Sequence, residues 1–147
     1  MPEHTPAFII RSWFEDIYNR ARADLIGVYV SPMAHIHGLD ETGAHCIGPD
    51  GFKSFYDKLK ATIPDIQFTV HEVIAEGPTA ACRWTAVETH SGDHLGPRAT
   101  DSVINVSGMS FVHLESGQIV EAWNDWDRLG FALAIGAVAP VQRIATT

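Results

Sequence analysis

The chain has 147 residues, enough for one domain with one core and one small cavity. Hydrophobic residues make up 46% and charged residues 19%, a globular composition that excludes the disordered and fibrous classes. The net charge of −8 disfavours a phosphate backbone as partner, and no apolar run approaches the roughly 20 residues needed to span a bilayer.

Residues 6–20 place Ile10, Trp13, Phe14, Ile17 and Tyr18 at helical spacing behind Thr5-Pro6. A second short helix is predicted from Asp24 to Val30, stopped by Ser31-Pro32. Met33 to Gly38 alternates as a strand, and Gly43 turns the chain into a shorter strand ending near Gly48. Pro49-Asp50-Gly51 opens a third helix with a Phe52, Phe55, Tyr56, Leu59 stripe. The period then falls to 2. Ile66, Phe68, Val70 and Ile74 mark one strand, Thr79–His90 the next, and a long strand runs from about Ala99 to Leu114, with Gly108 as a candidate bend. Ser116-Gly117 turns into Gln118–Asp127, and Arg128–Ile135 reads as a last helical turn or two before a tail at 137–147. Helices first, then strands joined by short turns, predict an α+β fold: N-terminal helices across the concave face of a strongly curved antiparallel sheet.

Cys46 and Cys82 stand alone, with no CxxC, and the first ten residues lack a basic leader, so a reducing cytoplasmic setting is expected. Ile119, Glu121, Trp123, Asp125 and Asp127 share one parity, and Met109, Phe111 and His113 share one across the turn. If these faces coincide, a histidine and two aspartates meet in a pocket lined by Trp, Phe and Met. A carboxylate there would have a raised pKa and be a better base, and the imidazole could hold or pass the proton. His35 and His37 lie on one strand face and are read as pocket-lining. They resemble a first cupin metal motif with Glu41, but no second motif follows, so no metal is assigned. His90 and His94 flank a Gly-containing loop, with His90 read as a substrate contact. Trp84 shares the parity of Cys82 and His90 and is favoured over Arg83 as the cavity residue.

Gly48 to Phe55, Pro64-Asp65, Arg83, Thr89-His90-Ser91-Gly92 and the late Gly117–Asp127 stretch, in this order, resemble the SnoaL-like polyketide cyclases across about residues 25–136. The resemblance implies a cone-shaped fold shared with ketosteroid isomerase, and 1–147 as one SnoaL-like domain with its core at about 6–136. It also implies aldol-type ring closure of a small hydrophobic carbonyl compound with no metal or organic cofactor. The acid/base carries over to Asp127, with His113 as its partner and Asp125 as a competing candidate. An isomerase or dehydratase using the same groups, or a non-catalytic ligand-binding module, are the alternatives. A homodimer is expected, because the outer sheet face must be covered.

Overall fold

The computed structural model describes residues 5–40, 42–90 and 102–140; Glu41 and His94 fall outside the described residues, as does most of the predicted tail. Thr5 caps α1 (Pro6–Trp13), its hydroxyl oxygen accepting from the Phe8 amide at 3.2 Å, and Pro6 occupies the first turn, where no amide donor is missed. The helix runs on as a π-helical segment, Phe14–Asn19, burying Phe14, Ile17 and Tyr18. A 3₁₀ turn (Ala23–Leu25) and α2 (Ile26–Tyr29) lead into β1 (Val30–His37). The strand thus begins three residues before the predicted Met33. Pro32 is tolerated because it lies where pairing shifts register between Val30 and His35.

The short β2 (Cys46–Ile47) precedes α3 (Gly48–Thr62). Gly48 has φ +69, and a Cβ there would stand 2.5 Å from the Pro32 carbonyl oxygen, so this corner requires glycine. Then come β3 (Gln67–Glu76), β4 (Thr79–Thr89), β5 (Val103–Glu115), β6 (Gln118–Trp126) and α4 (Arg128–Ala134). The sheet order is β2-β1-β6-β5-β4-β3. From β3 to β6 the neighbours are antiparallel, as their short turns require. The expected all-antiparallel sheet is corrected at one place: β1 pairs parallel with β6. Some eighty residues separate these strands in sequence, so no tight turn dictates their direction. The fold is α+β, with a curved, unclosed mixed sheet.

The N-terminal helix lies across the inner face. Phe14 meets Phe68 at 5.2 Å and Trp84 at 6.1 Å between ring centroids, and Trp13 meets Phe52 at 4.8 Å. Each such buried ring stabilises the fold by roughly 1.5–3 kcal/mol relative to leaving it in water.

Two irregularities decide which side chains face in. In β3 the register shifts at His71: Val70 pairs with Trp84 but Glu72 with Arg83. Val73 therefore packs on the core, while Ile74, expected to share a face with Phe68 and Val70, is 74% exposed. In β6 the shift is at Val120: His113 pairs with Glu121 but Leu114 with Ile119. Ile119 is buried, and the parity it appears to set for the rest of the strand is inverted one residue later.

Candidate active site

The inner row of β4 is Ala80, Cys82, Trp84, Ala86 and Glu88, with His90 just past the strand's end, all buried. Facing them on β5 are Ile104, Val106, Gly108, Ser110 and Val112, and on β6 Ala122, Asn124 and Trp126. Between these rows and the helices lies a cavity of about 80 Å³, walled by Phe14, Tyr18, Phe55, Phe68, Trp84 and Trp126 among others. Its lining is overwhelmingly apolar. The polar residues in the lining are Asp40, Glu88 and Asn124, with Tyr18.

Gly108 makes room for this arrangement. A Cβ at 108 would stand 2.3 Å from Trp84 Cζ2, so the indole opposite requires the glycine, and the register is unbroken there. The Trp84 ring N–H donates to Ser110 Oγ (3.1 Å), Ser110 donates to Asn124 Oδ1 (2.7 Å), and Asn124 Nδ2 donates to the His37 carbonyl (3.0 Å). This chain ties β4, β5, β6 and β1 together beneath the cavity. It also fixes the Asn124 amide, since each of its ends is engaged.

Glu88 is only 4% exposed and lines the cavity. Burial, reinforced by the nearby Asp65 charge, pushes its carboxyl up to about 7. Asp65 itself accepts from the Thr89 amide at 2.9 Å, and its carboxyl is held below the usual range by the bonds from Thr89. Asp40 also belongs to the lining. Partial burial works to raise its carboxyl, but bonds from the loop that follows prevail and hold it low; Oδ1 accepts from the Thr42 amide (3.0 Å) and hydroxyl (2.6 Å). Burial drives the Tyr18 phenol far above its ordinary value, with Tyr56 and Cys46 adding to the effect, so it is a neutral donor. One cavity therefore holds a carboxyl biased towards its acid form and another biased towards its base form. Such a pair can donate and accept a proton within one lining; the bonds that keep Asp40 ionised also make it a weaker base than a carboxylate raised by burial.

The predicted site residues fall elsewhere, with one exception: Trp84 lines the cavity, while His90 is fully buried beyond the end of the same row and is not part of the lining. Met109, Phe111, His113, Trp123 and Asp125 stand on the outer face of the sheet, with Met109 62% exposed. The physical reason is the bulge at Val120, which turns Glu121, Trp123 and Asp125 outward although Ile119 points in. His113 and Asp127 do not meet. The Asp127 amide bonds the Ser107 carbonyl, six residues along β5 from His113, a separation of about 20 Å at the rise of a strand. Asp127 caps α4, its Oδ1 accepting from the Gly130 amide at 2.8 Å, and Asp125 Oδ1 pairs with Arg128 at 3.2 Å. His35 is exposed and His37 half-buried, both on the outer side of β1, so neither lines the cavity. Their rings stack with His45 at 5.6 and 5.5 Å, and His37 Nε2 sits 2.8 Å from Glu121. Among the described residues no group of three His, Cys, Asp or Glu is placed to hold a metal ion, and no helix is long and apolar enough to cross a membrane.

Glu88 and Asp40 are the residues that sequence reasoning missed. The signal for Glu88 was present: once Trp84 is taken as inward, parity carries Glu88 inward too, an acid on an otherwise apolar row. No comparable signal marks Asp40, which reaches the cavity from a loop.

The profile of the SnoaL-like polyketide cyclases matches residues 8–135. No curated protein matches the chain significantly. Among solved structures, IdmH of Streptomyces antibioticus, named as a candidate polyketide cyclase, superposes with a TM-score of 0.78 at 24% identity, over 90% of this chain and 99% of that one. AclR of Streptomyces galilaeus, named as a candidate hydroxylase, superposes at 0.75 with 22% identity over 91% and 83%. A SnoaL-like polyketide cyclase of Agrobacterium tumefaciens superposes at 0.69 with 18% identity over 84% and 92%. At these identities the likeness is one of fold; the profile match over most of the length goes further, and the chain belongs to the SnoaL-like polyketide cyclase family.

Proposed function

We propose that this protein is an acid/base enzyme that closes a ring in a hydrophobic, carbonyl-rich small molecule by intramolecular aldol addition. The observation that carries the reading is Glu88, a carboxyl held near neutrality inside an apolar cavity. A methylene between two carbonyls is already acidic, because its enolate delocalises. The ionised Asp40 takes that proton. The enolate carbon attacks a ketone carbon of the same molecule, a C–C bond forms, and the carbonyl π pair moves onto oxygen as an alkoxide. The protonated Glu88 delivers a proton to that oxygen. The two carboxyls then exchange protons with solvent and return to their starting states. Every step is redox-neutral. General acid–base catalysis of this kind contributes about 10²–10⁴ in rate, and confinement of both reacting ends in one cavity adds to it.

The structural roles of Asp127 and Asp125 support this assignment over the pair drawn from the resemblance, because both aspartates already serve α4 and Arg128. The test is deuterium exchange into the central methylene of benzoylacetone, followed by NMR, beside ring closure of a linear poly-β-ketone. Asp40→Asn should bring exchange down to the uncatalysed rate. Glu88→Gln should retain exchange above the uncatalysed rate and lose closure. Wild-type closure rates in Glu88→Gln would refute the proposal. The same reading includes a homodimer: Ile74, Met109, Phe111 and Trp123 leave an apolar outer face that a second copy would cover, and light scattering showing the monomer mass alone would remove it.

A further inference from the structure

The inner cavity is small for the chemistry assigned to it. At about 80 Å³ it falls well under the roughly 300–1,000 Å³ of small-molecule sites. A second hollow of about 220 Å³ lies against it, on the far side of a wall made by Leu39, Asp40, Phe55 and Leu59, which line both. Together the two spaces reach the lower end of that range. Their chemistry differs. The outer hollow adds His45, Cys46, Ser54 and Lys58 to the shared wall. Ser54 and Lys58 are one turn apart on α3, so the same helix that gives Phe55 and Leu59 to the inner space gives a hydroxyl and an ammonium to the outer one. The other lysines of α3 are engaged: Lys53 Nζ pairs with Asp57 at 2.8 Å, and Lys60 Nζ donates to the Tyr18 carbonyl at 2.9 Å. Among the described residues Lys58 has no carboxylate partner. Asp40, at the junction, turns Oδ1 into its own loop through the two Thr42 bonds.

We infer that the two hollows form one substrate site, the inner chamber taking the ring-forming dicarbonyl end and the outer chamber a tail ending in a carboxylate that Lys58 holds. The inference rests on the acid/base reading and deepens it by naming the substrate class: an elongated amphiphile with an anionic end. Asp40 then stands where the chambers meet, beside the activated methylene, and Glu88 lies deeper, where the new hydroxyl forms.

The test uses three probes and calorimetric binding. Benzoylacetone fills only the inner chamber. A phenyl 1,3-diketone with three further methylenes and a carboxylate spans both, and its methyl ester lacks the charge. Wild type should bind the carboxylate about fivefold more tightly than the ester at low salt, a preference of the size an exposed ion pair supplies, and the preference should shrink as salt rises. Lys58→Ala should abolish it and Lys58→Glu reverse it, with benzoylacetone binding unchanged in both. Ser54→Trp, which plugs the outer hollow from the exposed side of α3, should weaken both tailed probes and spare benzoylacetone; thermal melts confirm that each variant is folded. Equal affinity for carboxylate and ester in wild type overturns the inference, as does a preference that survives Lys58→Glu. Failure of all three probes to bind wild type would instead overturn the acid/base reading, and this inference with it.

Discussion

The two faces of β5 and β6 carry similar residue types and do opposite things. The inner face joins Ser110 and Asn124 to Trp84 of neighbouring β4 in a bonded chain beneath an apolar cavity, with Glu88 of β4 in the same lining. The outer face joins Phe111, His113, Trp123 and His37 edge-to-face or stacked, at 5.0–5.9 Å between ring centroids, in contact with solvent. Aromatic and ionisable side chains at alternating positions therefore do not identify a pocket. What separates the faces is what stands opposite: helices over one, nothing among the described residues over the other.

The comparison can be broken most sharply at Glu88. Glu88→Gln should cost about 10²–10⁴ in ring-closure rate, while His113→Ala and Asp125→Asn on the outer face should change it less than threefold, as product formation would show. A reversal of that order would place the chemistry outside. Stability gives the second separation. Between its ordinary value near 4.5 and about 7, Glu88 keeps its proton when folded and loses it when unfolded. Its contribution is therefore fully present below pH 4.5 and is lost as pH rises through 7, by up to about 3 kcal/mol. Glu88→Gln removes that loss, so it should melt higher than wild type at pH 8.5 and close to it at pH 4.5. Gly108→Val drives a side chain into the Trp84 indole and should cost about 1–3 kcal/mol by denaturant titration, against less than about 0.5 kcal/mol for Met109→Ser on the other face of the same strand. Trp84→Phe deletes the donor to Ser110 and should cost about 1 kcal/mol. The smallest effect on the fold of one protomer and the clearest on the proposed dimer is Trp123→Glu, which should cost the protomer less than about 0.5 kcal/mol and give the monomer mass by light scattering.

Much of this architecture was legible. The Phe52, Phe55, Tyr56, Leu59 stripe places α3, and the alternation from Thr79 to His90 places β4 and the inward side of Trp84, because helix and strand periods of 3.6 and 2 appear directly in the order of apolar residues. The site was less so. Ile119 gave a parity that held for one residue, and the bulge at Val120 leaves no mark in composition. Asp127 followed by Gly130 could be read as a helix cap, and the cap explains its carboxylate without chemistry.

Local pattern thus determined the elements, their turns and the family, since each depends on residues near in sequence. Tertiary structure decided the rest: the parallel join of β1 to β6, the two bulges, the glycine demanded by an indole on the neighbouring strand, and the meeting of Asp40 with Glu88 in one cavity. Those depend on backbone register and on contacts between residues from about twenty-four to more than eighty positions apart, or on a single extra residue in a ladder, and periodicity within one strand carries no information about either.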